Sequence, residues 1–524
     1  MGPKRDGSGA PKLAVFLGDQ LDPAYVKTLG LRKDRDVILM MEVEEESRHV
    51  ASHVQRTILF LSAMRHFADR LRKSGWTVDY IELDDPENTQ SFETELRRAV
   101  ERHEPEEVCG IHPGEWRVLR LLERACDEAG VPYRCEEDPH FLCSLETFHD
   151  WAEGRKSFIL EFFYRKMRKE LGILMDGNEP EGGEWNFDKE NRETFKQAPE
   201  TPEPARFNSD TITHQVSELV RRQMPDLPGR IEHFHWPVTR EQAREALDRF
   251  VADRLPHFGT YQDAMWTDQH ALYHSQLSSS LNLKLLNPRE VCDAVLGAYE
   301  SGHAPINSVE GYIRQIIGWR EFIRGVYWQQ GESYPERNSM QQYGGLPWFY
   351  WDGETDMRCM SEALDSVLSD AYGHHIERLM VTGNFALISG VHPGEITAWY
   401  LGMYADGVDW VTTPNTLGMA MFSDGGVVGT KPYAASGKYI KRMSNFCKHC
   451  TYDVNQRTGE DACPFNVFYW DFLIRNRERF KDNNRMAMVL KNVERLKKED
   501  RVEITRSAKS LREKFGIGDP AKAE

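Results

Sequence analysis

Val37-Ile-Leu-Met-Met-Glu-Val43, followed by Val54-Gln-Arg-Thr-Ile-Leu-Phe-Leu-Ser-Ala-Met-Arg-His-Phe-Ala-Asp-Arg-Leu71, is the stretch that decides the fold of the first part of the chain. The first segment is a continuous apolar run, the pattern of a strand buried on both faces. In the second, Val54, Ile58, Leu61, Met64, Phe67 and Leu71 recur at three- and four-residue steps with Arg and Asp opposite, which predicts an amphipathic helix. Working outward, further apolar runs at 13–17, 78–83 and 108–111 read as strands of the same kind. Strand, helix, strand at this spacing predicts a doubly wound parallel sheet ending near residue 140. Ligands of such sheets sit at the carboxyl ends of the strands, where this chain carries Gly18, Asp19 and Gln20 and then Glu42 to Glu46.

After residue 143 the pattern changes. Residues 144–235 read as a long interdomain linker, with a basic run at 155–169 and a Gly-, Pro- and Glu-rich passage at 177–204. From 236 to 524 helical periodicity dominates and strand patterns vanish, predicting a large all-α domain. Residues 1–12 read as a flexible tail, leaving 13–143 as the α/β domain. The tail has no apolar core of a secretion signal and no window could span a membrane, so a cytoplasmic monomer is expected. With 40% hydrophobic and 28% charged residues in 524, the chain is neither disordered nor a membrane protein. Its net charge of −17 argues, taken alone, against a nucleic-acid partner.

The nine cysteines include one cluster, Cys447-Lys-His-Cys450 followed by Cys463-Pro464. Three thiolates need a fourth ligand, and Cys359 and His449 are the two candidates. Such a set suits either tetrahedral zinc or a [4Fe–4S] cluster, and spacing alone leaves the two open. The helical part holds further chemistry. Tyr261 leads to His274-Ser-Gln-Leu-Ser-Ser-Ser-Leu-Asn282, a hydroxyl-rich turn before a helix, suited to phosphate or to an ordinary N-cap. Gly318-Trp-Arg-Glu-Phe322 places a Trp and an Arg on an apolar helix, and Tyr372-Gly-His-His-Ile-Glu-Arg378 pairs two His with an Arg. No G-x-G-x-x-G follows a strand, so a dinucleotide would not be held in the Rossmann manner.

These segments together resemble the photolyase/cryptochrome family. Ser275-x-Leu277-Ser278-x-x-Leu281 resembles its flavin-phosphate segment, Trp319-Arg320-Glu-Phe its W-R-E-F helix, and His374-His375-x-x-Arg378 the H-H-x-x-R of members that repair (6-4) photoproducts. The cysteine pattern, together with Gly18-Asp-Gln-Leu21, Asn415-Thr-Leu-Gly-Met419, Gly429-Thr-Lys-Pro-Tyr-Ala-Ala-Ser-Gly437 and Ala462-Cys-Pro-Phe-Asn466, resembles the branch of iron–sulfur bacterial cryptochromes and (6-4) photolyases. That resemblance implies FAD in the helical domain, contacted by Tyr261, His274, Ser275, Leu277, Ser278, Trp319, Arg320, Arg378, Asn384, Asp406 and Asn415. It implies a [4Fe–4S] cluster on Cys359, Cys447, Cys450 and Cys463, with His449 a bystander. It also implies an antenna, 6,7-dimethyl-8-ribityllumazine, against Gly18, Asp19, Gln20, Glu42 and Glu46 of the α/β domain.

The implied activity is light-driven repair of UV-damaged DNA, the lesion being flipped from the duplex into the pocket. Reversal of a (6-4) lesion moves a proton as well as an electron, so a positioned acid is needed; His375 is the first candidate and His374 the second. Trp399, Tyr400 and Trp351 are expected to carry electrons inward. DNA contacts are expected from Lys431, Tyr433, Lys438, Tyr439 and Lys441, within a stretch whose five basic residues have no acid among them, and from the basic run at 155–169. Thr412 stands where some relatives carry an acid near the flavin. The rival expectations are a blue-light photoreceptor of the same branch and, outside it, a metal-stabilised nucleic-acid-binding module.

Overall fold

In the computed structural model, which describes residues 9–521, the N-terminal part is a five-stranded, wholly parallel sheet. Its strands are β1 (Lys12–Val15), β2 (Val37–Met41), β3 (Thr77–Ile81), β4 (Glu107–Ile111) and β5 (Tyr133–Glu136), in the order β3-β2-β1-β4-β5. Leu13 pairs with Val37 on one side and Val108 on the other, so β1 is central and every residue of β2 is buried. Helices Val54–Lys73, Phe92–His103 and Trp116–Ala129 cover the two faces; Ile58, Leu61, Met64, Phe67 and Leu71 all lie in the core, as their spacing requires. The strand order reverses between β1 and β4, and Gly18 to Gln20 leave β1 at that switch point.

β5 has no counterpart in the sequence reading. It is an edge strand of mixed exposure, Tyr133-Arg-Cys-Glu136, and lacks the apolar run that marks the interior strands.

Residues 144–235 carry helices Leu145–Ala152, Leu160–Leu171 and Thr211–Gln223, whose Phe148, Phe163, Tyr164 and Val216 join the same core. Beyond Pro180 the described residues form helices with only isolated bridges. The halves meet in direct backbone contact. Leu21 N–H donates to Leu283 O at 3.0 Å, His53 N–H to Gly402 O at 2.9 Å and Trp410 N–H to Gly114 O at 3.2 Å. His53 also caps the helix it precedes: its Nδ1 accepts from Gln55 N and its Nε2–H donates to Leu368 O at 3.1 Å. Among the described residues no helix is long and apolar enough to cross a membrane.

Candidate functional site

A cavity of about 870 Å³ opens in the helical half. Three of its walls are π-helical turns, Arg314–Arg320, Glu377–Gly383 and Asn415–Ala420, each inside a longer helix. A π turn inserts one residue and swings the flanking side chains sideways, which is why such turns collect at functional sites. Of the residues expected at a flavin, His274, Ser275, Ser278, Trp319, Arg320, Arg378, Asp406 and Asn415 line this one space, although they come from positions up to 141 residues apart (415 − 274). Leu277, Tyr261 and Asn384 do not line it. Leu277 is a buried core residue, Tyr261 stacks on Phe195 at 4.4 Å, and Asn384 exchanges hydrogen bonds of 2.9 Å with the backbone of Ala435. These three support the wall from behind.

One end of the cavity is a histidine cluster. His274 and His374 stack with centroids 4.6 Å apart and planes within 8°, and His375 meets His274 edge-on at 5.3 Å. Burial holds both His274 and His374 well below the usual imidazole range, with neighbouring cationic groups adding to the effect. His375 is half exposed, and its Nε2 lies 3.5 Å from Asp263 Oδ1. Arg378 faces Asp406 through two hydrogen bonds of 3.0 and 3.1 Å, donates from Nε to Gly373 O, and lies 3.9 Å over the ring of Tyr404. The exposure it keeps is toward the cavity, so it presents a fixed positive charge there. Thr412 also lines this wall, and its carbonyl accepts from Thr416 Oγ1.

Sequence reasoning missed several residues that the fold brings here. Tyr312 donates to Ser275 Oγ at 3.0 Å, Arg254 donates to His274 O at 2.6 Å, and Trp410 packs on the cavity from the domain seam. None has a local signal, because each reaches the site from a separate helix. Buried polar atoms without a protein partner are found at the cavity, among them His274 Nε2, both ring nitrogens of His374, and Arg320 Nε. A polar organic cofactor would satisfy them.

From the cavity wall a line of aromatic rings leads outward. Tyr400 lines the cavity, Trp399 follows with centroids 5.4 Å away, and Tyr350 follows at 5.1 Å. Trp399 is buried and donates from Nε1 to Tyr350 O at 3.1 Å, while Trp351, next in sequence, is 40% exposed.

Cys359, Cys447, Cys450 and Cys463 converge on a small void of about 10 Å³. All four thiols are free, and His449 is not among the lining residues. Burial together with the neighbouring thiols pushes Cys463 up to about 12, and burial with Cys450 pushes Cys447 up to about 11. Four convergent thiols without a cation are a costly arrangement, and the donor set fits a metal centre. A Cβ at Gly437 would come within 2.9 Å of Cys463 Sγ, so the cradle admits only glycine at that side.

At the strand ends the expected residues divide. Asp19 is half-buried beside Gly114, and desolvation raises its carboxyl above the usual range with Lys284 opposing the shift. Gly18 is packed against Met64 and Phe60. Gln20 ties β1 to β4, donating to Ile111 O at 3.0 Å and accepting from Leu17 N. Glu46 takes two bonds of 2.8 Å from Arg117. Glu42 corrects the expectation of a chromophore contact. Its carboxylate is saturated by Arg65 (2.7 Å twice), Tyr80 OH (2.6 Å) and Leu83 N (2.9 Å), and nothing is left to bind a ligand.

The cavity mouth is bordered by Tyr433, which is 39% exposed, and by Thr430 and Arg485, joined by a 2.6 Å hydrogen bond. Lys438 and Lys441 are exposed, Lys431 and Tyr439 are half-buried, and Arg442 lies 5.3 Å over the Tyr439 ring. In the second basic run one reading is overturned. Arg168 is wholly buried and donates to the backbone of Ile173, Leu174 and Trp185, so it cannot reach a phosphate. Ile159, at the cavity, and Phe162 stand exposed on the same segment, apolar residues that the charge pattern had hidden.

Comparison with known proteins agrees with this architecture. A family model for deoxyribodipyrimidine photo-lyase-related proteins matches residues 14–236. A "(6-4) photolyase" of Agrobacterium fabrum is 46% identical over 476 residues, 91% of this chain and 94% of that one. Among solved structures, a bacterial class III photolyase from Agrobacterium tumefaciens superposes with TM-score 0.55 at 15% identity, covering 84% of this chain and 87% of its own. The Synechocystis sp. PCC6803 cryptochrome superposes equally, with TM-score 0.55 at 13% identity, over 83% and 89% of the two chains. From the two-domain architecture, the convergent cavity and a relative this similar along nearly its whole length, the chain belongs to the photolyase/cryptochrome family.

Proposed function

We propose that the protein is a light-driven (6-4) photolyase that restores UV-damaged DNA. The observation that carries this reading is the histidine pair. His375 is half exposed at the cavity while His374 is buried and neutral beside it, so a proton donor stands where a flipped-out base would enter. The large cavity fits FAD, whose polar groups would meet Ser275, Ser278, Arg320 and Asn415. Held there in reduced form, FAD would supply the photo-excited electron. Arg378 holds a positive charge against the site and Asp406 fixes its direction, an arrangement that favours an anionic cofactor.

His375 donates a proton from its ring nitrogen to the lesion, and Asp263 orients that ring. Tyr400 and Trp399 carry electrons inward along the aromatic line, with the exposed Trp351, next to Tyr350 in sequence, as the surface end. The four convergent thiols would hold a [4Fe–4S] cluster, and the family branch selects iron over zinc for this set. Gly18, Asp19, Gln20 and Glu46 outline the place of an antenna, 6,7-dimethyl-8-ribityllumazine; Glu42 shapes it only through Arg65. Lys438, Lys441 and Tyr433 contact DNA, the lysines through phosphates and the ring by stacking on a base.

The test is illumination of the purified protein with oligonucleotides carrying a (6-4) or a cyclobutane lesion, side by side. Repair of the (6-4) substrate is expected. Photoreduction of the flavin with neither lesion repaired would overturn the reading in favour of a photoreceptor.

A further inference from the structure

Among the residues that line the large cavity, Ile159, His375, Thr430, Tyr433 and Arg485 are the exposed ones, and they outline its mouth. Three of the segments that carry them are stitched together. Phe158 N–H donates to Val427 O at 2.8 Å, which ties the segment of Ile159 to the loop 424–433. The Asp424 carboxylate shapes that loop by accepting from the backbone N–H groups of Gly426, Val427 and Val428 at 2.9, 3.2 and 3.1 Å. On the other side, Asn483 Nδ2–H donates to Thr430 O at 3.2 Å and Arg485 Nη1–H to Thr430 Oγ1 at 2.6 Å. Arg485 itself sits on a turn anchored by the buried side chains of Phe480 and Met486, and its backbone N–H donates to Asn483 Oδ1 at 3.0 Å.

The arginines lining the cavity divide by their partners. Arg314 is paired with Asp188, Arg320 with Glu321 and Arg378 with Asp406. Nearby in sequence, Arg477 is paired with Glu494 and Lys481 with Glu478. Arg485 has no carboxylate within ion-pair distance among the described residues; the Thr430 hydroxyl holds one corner of its guanidinium. The rest of the fork is left for an anion, and phosphate matches it in shape and charge. Nothing in Lys481-Asp-Asn-Asn-Arg-Met486 marks this arginine as a run of charge would.

We propose that Arg485 is a specificity residue, gripping the DNA phosphate beside a nucleotide that has been turned out of the duplex. This deepens the reading of the cavity as a (6-4) repair site and rests on it. A nucleotide that enters the cavity draws its flanking phosphates to the mouth, whereas in an unflipped duplex they stay with the backbone outside. A cation fixed at the mouth therefore senses extrusion, while an exposed lysine on the surrounding surface answers to any phosphate. Ile159 and Tyr433 beside it are uncharged and offer an apolar side chain and a ring to the bases that part there. Thr430 and the turn hold the fork in place beforehand, so little side-chain freedom is lost when phosphate binds.

The test is binding in the dark. A labelled duplex with one (6-4) lesion and the same duplex undamaged are titrated with flavin-loaded protein and followed by fluorescence anisotropy. The parent is expected to prefer the lesion. Arg485→Gln, which still reaches Thr430 but carries no charge, is expected to lose about tenfold in affinity for the lesion duplex and to stay within about twofold on the undamaged one. The salt dependence of log affinity for the lesion duplex should shrink by about 1. Arg485→Lys keeps the charge without the planar fork and should recover only part of the preference. Each variant is compared at the parent's flavin content, which certifies its fold. Equal losses on both duplexes, no loss on either, or a parent without preference would overturn the proposal. A parent that prefers the lesion duplex yet repairs neither lesion in light ends the repair reading and leaves Arg485 to be decided by the same affinity ratio.

Discussion

His375 and Arg378 are three residues apart and do opposite work, because one faces the cavity half exposed and the other is locked to Asp406. Replacing His375 by Ala should leave flavin uptake and photoreduction intact while abolishing (6-4) repair, measured on the same preparation. Repair at the parent rate would place the proton elsewhere. Arg378→Ala is a different kind of change. It strands Asp406 and removes the cation over Tyr404, a loss below the roughly 3–5 kcal/mol of a fully buried pair because both side chains keep some exposure. The expected outcome is protein recovered with little flavin, read from the ratio of flavin to protein absorbance. At this scale the sequence showed residue types better than orientations. The H-H-x-x-R spacing picked out residues that cluster at the cavity, but nothing in it distinguishes the buried His374 from the half-exposed His375. Glu42 makes the same point: its place at the end of β2 was legible, whereas its capture by Arg65, Tyr80 and Leu83 depends on residues far along the chain.

Helices and strands were legible wherever one period governed a whole element. The helix Val54–Lys73 and the buried strand Val37–Met41 follow directly from their apolar spacing. The π turns were not, since an extra residue per turn is decided by packing against a ligand-sized space and leaves no mark on hydrophobic period. Charge runs misled for a related reason. Within helix Leu160–Leu171, Arg165 pairs with Glu161 and Lys166 with Glu170, while Arg168 turns inward, so a basic string becomes three different environments. Helix Pro393–Met403 carries a prediction of its own, since Trp399 and Tyr400 are consecutive on it. Trp399→Phe keeps an aromatic ring but removes both the Nε1–H to Tyr350 and the readily oxidised indole. Photoreduction of the flavin should slow markedly, followed by absorbance during illumination; unchanged kinetics would assign electron entry to another route.

For the molecule as a whole, the overall charge of −17 and the basic border of the cavity describe different surfaces. Lys438 and Lys441 are exposed, so Lys441→Ala should weaken DNA binding similarly for damaged and undamaged sequences and reduce the salt dependence of log affinity by about 1. Stability across the two halves should depend on pH through His53, whose imidazole is pushed down to about 4 by burial at the seam. Because the unfolded ring titrates near 6.5, the folded state resists a proton that the unfolded state accepts. Stability is therefore full above that value and falls between about 6.5 and 4, by about 3 kcal/mol from this residue. Thermal melts at neutral and acid pH should show a shallower acid loss in His53→Asn, which retains a capping side chain.

The meeting of Gly114 with Asp19 and Trp410 has a photophysical consequence. A single methyl at Gly114 would stand 2.9 Å from the Asp19 carboxylate and 3.1 Å from the Trp410 ring, so the seam tolerates no spacer there. In the proposed reading, with an antenna at the strand ends and FAD in the helical cavity, excitation would cross the seam that this bare α-carbon holds closed. Excitation hopping of this kind dims steeply with separation. Gly114→Ala should consequently shrink the antenna's share of the action spectrum, with repair under direct flavin excitation left as bright as before.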